Sequence, residues 1–204
     1  MLEKIVCKPE PADADALKIG FFGGLHGDEP AGSHACRKLA AWAHESPRAV
    51  RGYELHFYPD CNPTGLAAGT RHSSCGLDLN REFWRGSTQP DVVALETELR
   101  REKYDAIIAL HSDDTSDGLY GFVSGALLSE HVLDPALEAA SALLPRNRNA
   151  LIDGFPAFEG IIKEGYTGIL AAPPEQRPAF DCDITAQCTI DGRELYLRIT
   201  GIAP

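Results

Sequence analysis

Apolar and polar positions repeat along this chain with two different periods. Leu17 to Phe22 is a short apolar run that closes on Gly23-Gly24, which predicts a buried strand entering a tight turn. From Pro30 to His44, Ala31, Ala35, Leu39 and Trp42 recur near helical spacing, and Pro30 suits a first helical position. Tyr53 to Tyr58 alternates and carries aromatics, the pattern of a strand. Residues 59–81 are rich in turn formers and read as a long ordered loop, the kind of segment that usually serves function. A helix over Pro90 to Lys103, a central strand over Tyr104 to Leu110 and an acidic loop over Ser112 to Tyr120 follow. Pro135 to Leu144 reads as a helix and Gly168 to Ala172 as a strand. Asp191-Gly192, between TAQCTI and RELYLRI, signals a two-residue hairpin. Helices that alternate with apolar strands, followed by an antiparallel tail, predict an α/β domain with a mixed β-sheet and helices on both faces. The expected organisation is one domain over residues 1–204 with a C-terminal β-hairpin at 180–200.

Composition agrees with a folded domain. The 204 residues are 44% hydrophobic and 24% charged, enough to bury a core without disulfide or metal staples. The charge balance changes the picture more. With 19 Lys+Arg against 30 Asp+Glu, the net charge of -11 disfavours nucleic acid and anionic membrane as partners. A single positive cleft is still compatible with it. No apolar run approaches the length of a membrane span, and the first twenty residues lack the features of a secretion signal. The six cysteines form no CxxC pair, so the expectation is a cytoplasmic protein with reduced thiols. The sequence leaves the oligomeric state open.

Three groups of residues carry candidate chemistry. His26 and Glu29 lie three apart in GGLHGDEP, after a predicted strand and before a predicted helix, where ligands bind in open α/β sheets. His111 directly follows the apolar run YDAIIAL, at the end of a second core strand. Two histidines and one carboxylate are the ligand set of a hydrolytic zinc site. The plain alternative is a hydrogen-bonded structural histidine at each strand end. Arg71, with Asn80 and Arg81 in GLDLNREF, puts two guanidinium groups in a loop otherwise poor in basic residues. An arginine fork matches a carboxylate, so an anionic substrate group competes here with salt bridges to Asp78 and Glu82.

Taken in order, HGDEPAG, NPTG, Arg71, GLDLNREF and LHSDD resemble the zinc carboxypeptidase superfamily, in particular its compact succinylglutamate desuccinylase/aspartoacylase-like branch. The resemblance spans roughly His26 to Phe122. It implies a zinc-carboxypeptidase-like fold, with Zn2+ as cofactor and His26, Glu29 and His111 as its ligands. It implies that Arg71 polarises the scissile carbonyl and stabilises the oxyanion, and that Asn80 and Arg81 hold the substrate's carboxylate. The implied partner is a small molecule or short peptide with a free carboxylate, cleaved at the adjacent amide bond. A catalytically impaired metal- or ligand-binding protein on the same fold is the alternative.

The departure from the family concerns the general base. Members of the family carry a glutamate on a late strand, and the corresponding stretch here, AFDCDITAQ, contains none. Asp181, Asp183 and Thr185 share one strand face by the period of two. Asp183 is the expected replacement, with Glu175 and Asp181 behind it, and a solvated edge strand is the alternative for all three. Ser112 to Asp117 adds carboxylates that either orient the histidines or line a solvated loop.

Overall fold

The structure, a computed structural model, describes residues 2–123 and 129–163 together with the backbone of Asp183–Cys188. Its strands are β1 (Ile5–Cys7), β2 (Leu17–Gly23), β3 (Tyr53–Tyr58), β4 (Ala106–Ser112), β5 (Leu119–Phe122), β6 (Leu151–Ile152), β7 (Phe155–Pro156), β8 (Ile161–Ile162) and β9 (Asp183–Cys188). Its α-helices are α1 (Pro30–Glu45), α2 (Pro63–Ala68), α3 (Pro90–Glu102) and α4 (Asp134–Ala140). One sheet of seven strands runs in the order β1-β3-β2-β4-β9-β5-β8. β2, β3, β4 and β9 are parallel, whereas β1 pairs antiparallel with β3 and β5 antiparallel with β9, and β8 runs parallel to β5, so the sheet is mixed as expected.

The alternation of side chains along β2 and β3 builds a core on each face. Phe21 stacks on Phe57 with ring centroids 4.9 Å apart, on the face where Cys36, Ala40 and Ala43 of α1 pack. Phe22 stacks on Tyr58 at 4.7 Å on the other face, where Val92, Leu95 and Leu99 of α3 pack. Each aromatic pair contributes about 1 kcal/mol beyond its buried area. Helices therefore cover both faces, and β4 divides the same way. Ile108 and Leu110 join the first core, while Ile107 and Ala109 join the second.

Three expectations shift. The long loop at 59–81 contains α2 and a 3-10 turn over Leu79–Arg81. Asn62 caps α2, its Oδ1 accepting from the Gly65 amide at 2.9 Å, and Pro63 occupies the first turn. β4 starts two residues late because Tyr104 and Asp105 have other partners. The Tyr104 hydroxyl lies 2.6 Å from that of Tyr58, and the Asp105 carboxylate accepts the Lys18 amide at 2.7 Å. The tail strand, for which a solvated edge was the alternative reading, is an interior strand. β9 lies between β4 and β5, parallel to the first and antiparallel to the second. The predicted strand at Gly168–Ala172 and the second arm of the 180–200 hairpin lie outside the described residues. Among the described residues no helix is long and apolar enough to cross a membrane.

The helix α1 lies unusually close to the sheet. A Cβ added at Gly32 would come within 2.3 Å of the Leu110 carbonyl oxygen on β4. That approach fixes Glu29, just ahead of α1, relative to the end of β4. Gly32→Ala should therefore cost about 1–3 kcal/mol as an overpacking change. At this length the loss lowers Tm by roughly 3–10 °C in a thermal melt. An unchanged Tm would show that the helix can back away from the strand freely.

Candidate active site

The turn after β2 carries the first two site residues. The Glu29 amide donates to the His26 carbonyl at 3.2 Å, closing a tight turn that leads into α1. Gly27 in this turn touches the start of α2 so closely that a Cβ would sit 1.9 Å from the Gly65 carbonyl carbon. Asn62, fully buried, ties the turn to the loop beyond it. Its Nδ2 donates to the carbonyls of Leu25 and Arg71, each at 3.3 Å. The NPTG segment thus acts as the clamp that holds the His26 turn and the Arg71 segment together.

Glu29 is the centre of the site. Its Oε1 lies 2.6 Å from Nδ1 of His26, and its Oε2 lies 2.9 Å from Nδ1 of His111. The Ser112 amide donates to the same Oε2 at 3.0 Å. All three side chains are buried, and one ligand atom from each lies within 4.8 Å of the others. Burial pushes the Glu29 carboxyl up, and the hydrogen bonds from His111 and then His26 outweigh it, bringing the pKa down to about 2. Burial lowers the His26 imidazole, but its contacts with Asp78 and Glu29 raise it by more. The net direction is up, so this cluster favours a positive charge between its carboxylates.

The residues present fit a divalent cation. Both Nδ1 atoms are turned toward one carboxylate, so a single ion can face two imidazoles and Glu29 at once. On the outer side, Nε2 of His26 meets Asp78 Oδ1 at 3.2 Å, the carboxylate–histidine contact that orients metal-ligating imidazoles. Nε2 of His111 is buried with no hydrogen-bond partner among the described residues. In a purely structural histidine such an atom carries a desolvation cost that nothing returns. The structural-histidine alternative therefore accounts less well for the pair than a metal centre does.

Arg71 stands at the rim. Its NH1 lies 3.6 Å from Glu29 Oε1, and its Nε and NH2 lie 3.1 and 3.0 Å from Asp78 Oδ2. Asp78 also caps the 3-10 turn that carries Asn80 and Arg81, accepting the Asn80 amide at 3.0 Å. Contacts with His26 and Arg71 outweigh the burial of Asp78 and hold its carboxyl well below the usual range. Asp78 thus joins the ligand turn, the rim arginine and the Asn80-Arg81 turn. In the sequence it was legible only as a salt-bridge partner inside GLDLNREF. The carboxylates after His111 do not orient the histidines. Asp113 accepts from Tyr120 at 2.6 Å and from the amide and hydroxyl of Thr115, while Asp114 and Asp117 are exposed.

The expected base is not brought to this cluster. Strand register sets Asp183 opposite Ile107, four residues before His111, which is about 13 Å along a strand. The β9 residue in register with His111 is Gln187. Counting residues could not reveal this, because the register of a central strand depends on partners distant in sequence. Glu175 and Asp181 lie outside the described residues.

Among solved structures this arrangement of sheet and helices has clear counterparts. A candidate metallopeptidase from Shewanella baltica aligns with a TM-score of 0.71 at 19% identity, over 87% of this chain and 70% of that one. A metallo-carboxypeptidase from Burkholderia cenocepacia aligns with a TM-score of 0.64 at 19% identity, over 91% of this chain and 51% of that one. The fold is thereby of the metallo-carboxypeptidase class. Residues 16–149, about two thirds of the chain and including His26, Glu29, Arg71, Asn80, Arg81 and His111, match the Succinylglutamate desuccinylase/Aspartoacylase catalytic domain. The chain belongs to that family of hydrolases. Carboxypeptidase SOL1 of Arabidopsis thaliana is 32% identical over 107 residues, 45% of this chain, and the match spans about a fifth (22%) of that relative's length.

If Asp78 orients His26 toward an ion, Asp78→Asn should weaken zinc binding by roughly 10–100-fold, the usual worth of such a partner. Competition with a chromophoric chelator measures this. Unchanged affinity would confine Asp78 to holding the Asn80-Arg81 turn.

Proposed function

We propose that the chain is a zinc-dependent hydrolase that cleaves an amide bond next to a free carboxylate. The substrate is an N-acyl amino acid or the C-terminal residue of a short peptide. The observation that carries this reading is the convergence of His26, Glu29 and His111 from two strand ends onto one point, with both Nδ1 atoms facing the carboxylate. These three residues would hold zinc, which when bound polarises a carbonyl and activates water.

The remaining groups bind and orient. Arg71 is placed at the cluster's rim by Asp78, where a guanidinium can meet negative charge developing on the carbonyl oxygen. Asn80 and Arg81 lie two and three residues beyond Asp78, on a turn anchored by the same carboxylate. In this reading they grip the substrate's carboxylate and so set its carbonyl against the cluster. Their shared support couples recognition to the reacting centre. A shift in the Asn80-Arg81 turn moves Asp78, and with it His26 and Arg71.

Two outcomes test the reading. His111→Ala removes a neutral nitrogen donor, and zinc content measured by atomic absorption should fall well below one equivalent while the wild type keeps it. Full occupancy in the variant would exclude His111 as a ligand. Arg81→Lys keeps the charge but loses the fork, so it should raise KM for N-acyl amino acids by roughly tenfold or more. Amidating the substrate's carboxylate should do the same. Equal kcat/KM on free-acid and amidated substrates would assign Arg81 another role.

A further inference from the structure

Strands β4, β9 and β5 lie side by side, and their registers align three residues in one row. His111 of β4 is opposite Gln187 of β9, and Gln187 is opposite Tyr120 of β5. Register partners on neighbouring strands share a face, with strand axes about 4.8 Å apart. Gln187 therefore occupies the level and the face of His111, next to the proposed zinc centre, whereas Asp183 occupies the level of Ile107.

From the His111–Gln187–Tyr120 row we infer that Gln187 stands at the proton-acceptor position of this site, and that its neutral amide holds hydrolysis to a slow rate while ligand binding stays intact. The inference rests on the hydrolase reading above. Hydrolysis forms a bond from the water oxygen to the carbonyl carbon and breaks the C–N bond. One water proton leaves as the first bond forms and must reach the departing amine nitrogen. A carboxylate can take that proton and return it; a carboxamide has no basic site at neutral pH and leaves the transfer to bulk water.

Among the described residues, three carboxylates at this end of the sheet already have partners. Glu29 is engaged by His26, His111 and the Ser112 amide. Asp78 is engaged by His26, Arg71 and the Asn80 amide. Asp113 is engaged by Tyr120 and Thr115. Among the described residues, Asp153, in the turn between β6 and β7, is exposed and is the alternative acceptor that the test includes.

The test compares zinc-loaded wild type with Gln187→Glu and the shorter Gln187→Asp on N-acyl amino acids. Gln187→Glu should raise turnover by roughly 10²–10⁴-fold, the usual worth of general acid–base catalysis. Gln187→Asp should gain less. Zinc content and melting temperature should match the wild type in whichever variant is scored. Equilibrium dialysis followed by mass spectrometry supplies a readout other than rate. The wild type should release its bound N-acyl amino acid largely uncleaved, and the glutamate variant should release the amine product. Variants that bind zinc and ligand but turn over within about threefold of wild type would overturn the inference. Loss of wild-type turnover in Asp153→Asn would also overturn it, by assigning proton transfer to that carboxylate. A wild type that binds neither zinc nor N-acyl amino acid would refute the hydrolase reading itself, and this inference with it.

Discussion

One buried carboxylate organises the molecule's functional end. Glu29 bridges the end of β2, through His26, to the end of β4, through His111 and the Ser112 amide. Burying a carboxylate is costly unless charged hydrogen bonds offset it. Contacts of this kind contribute about 1.5–3 kcal/mol each, and Glu29 has three. Their balance favours the ionised acid. The strand ends are thereby locked at a separation set by one side chain, and the two imidazoles come to face the same point.

The fold supports this arrangement by removing atoms where backbone must approach backbone. Gly32 lets α1 rest against the Leu110 carbonyl, and Gly27 lets the His26 turn rest against α2. Asn62 then fastens the turn to the Arg71 segment with two hydrogen bonds from one amide. Asp78 does the same on the far side, joining His26, Arg71 and the Asn80-Arg81 turn. The metal-ligand candidates are thus held by a buried amide on one side and a half-buried carboxylate on the other, and the rim arginine shares the second support. Under the proposed function, a carboxylate bound at Arg81 would thereby be mechanically linked to the electrostatics at Arg71.

Much of this was legible from the chain alone, for identifiable reasons. The strands Leu17–Gly23 and Tyr53–Tyr58 and the helices after Pro30 and Pro90 follow from local periodicity and from prolines at first turns. His26 and His111 stood out because each is a polar residue just after an apolar run, where a sheet delivers residues to a site, and Glu29 because it lies three residues from His26 across the turn. What escaped depends on contacts between distant segments. Asp78 and Asn62 sit in motifs that drew notice for other residues, and their partners lie up to 52 positions away. The tail reads as a hairpin with a solvated edge strand as the alternative, because alternation cannot tell an edge strand from one inserted between β4 and β5. That insertion decides the register, and the register sets Gln187 rather than Asp183 beside His111.

X-ray absorption at the zinc edge reads the donor set of the bound ion itself. The wild type should show nitrogen and oxygen donors at about 2.0–2.1 Å, with the outer-shell scattering of two imidazoles and without sulfur. In Glu29→Gln the same measurement should show the imidazole signature weakened or the ion lost, since the residue that holds both rings to one point is gone. A sulfur shell near 2.3 Å in the wild type, or an unchanged two-imidazole spectrum in Glu29→Gln, would contradict this donor set.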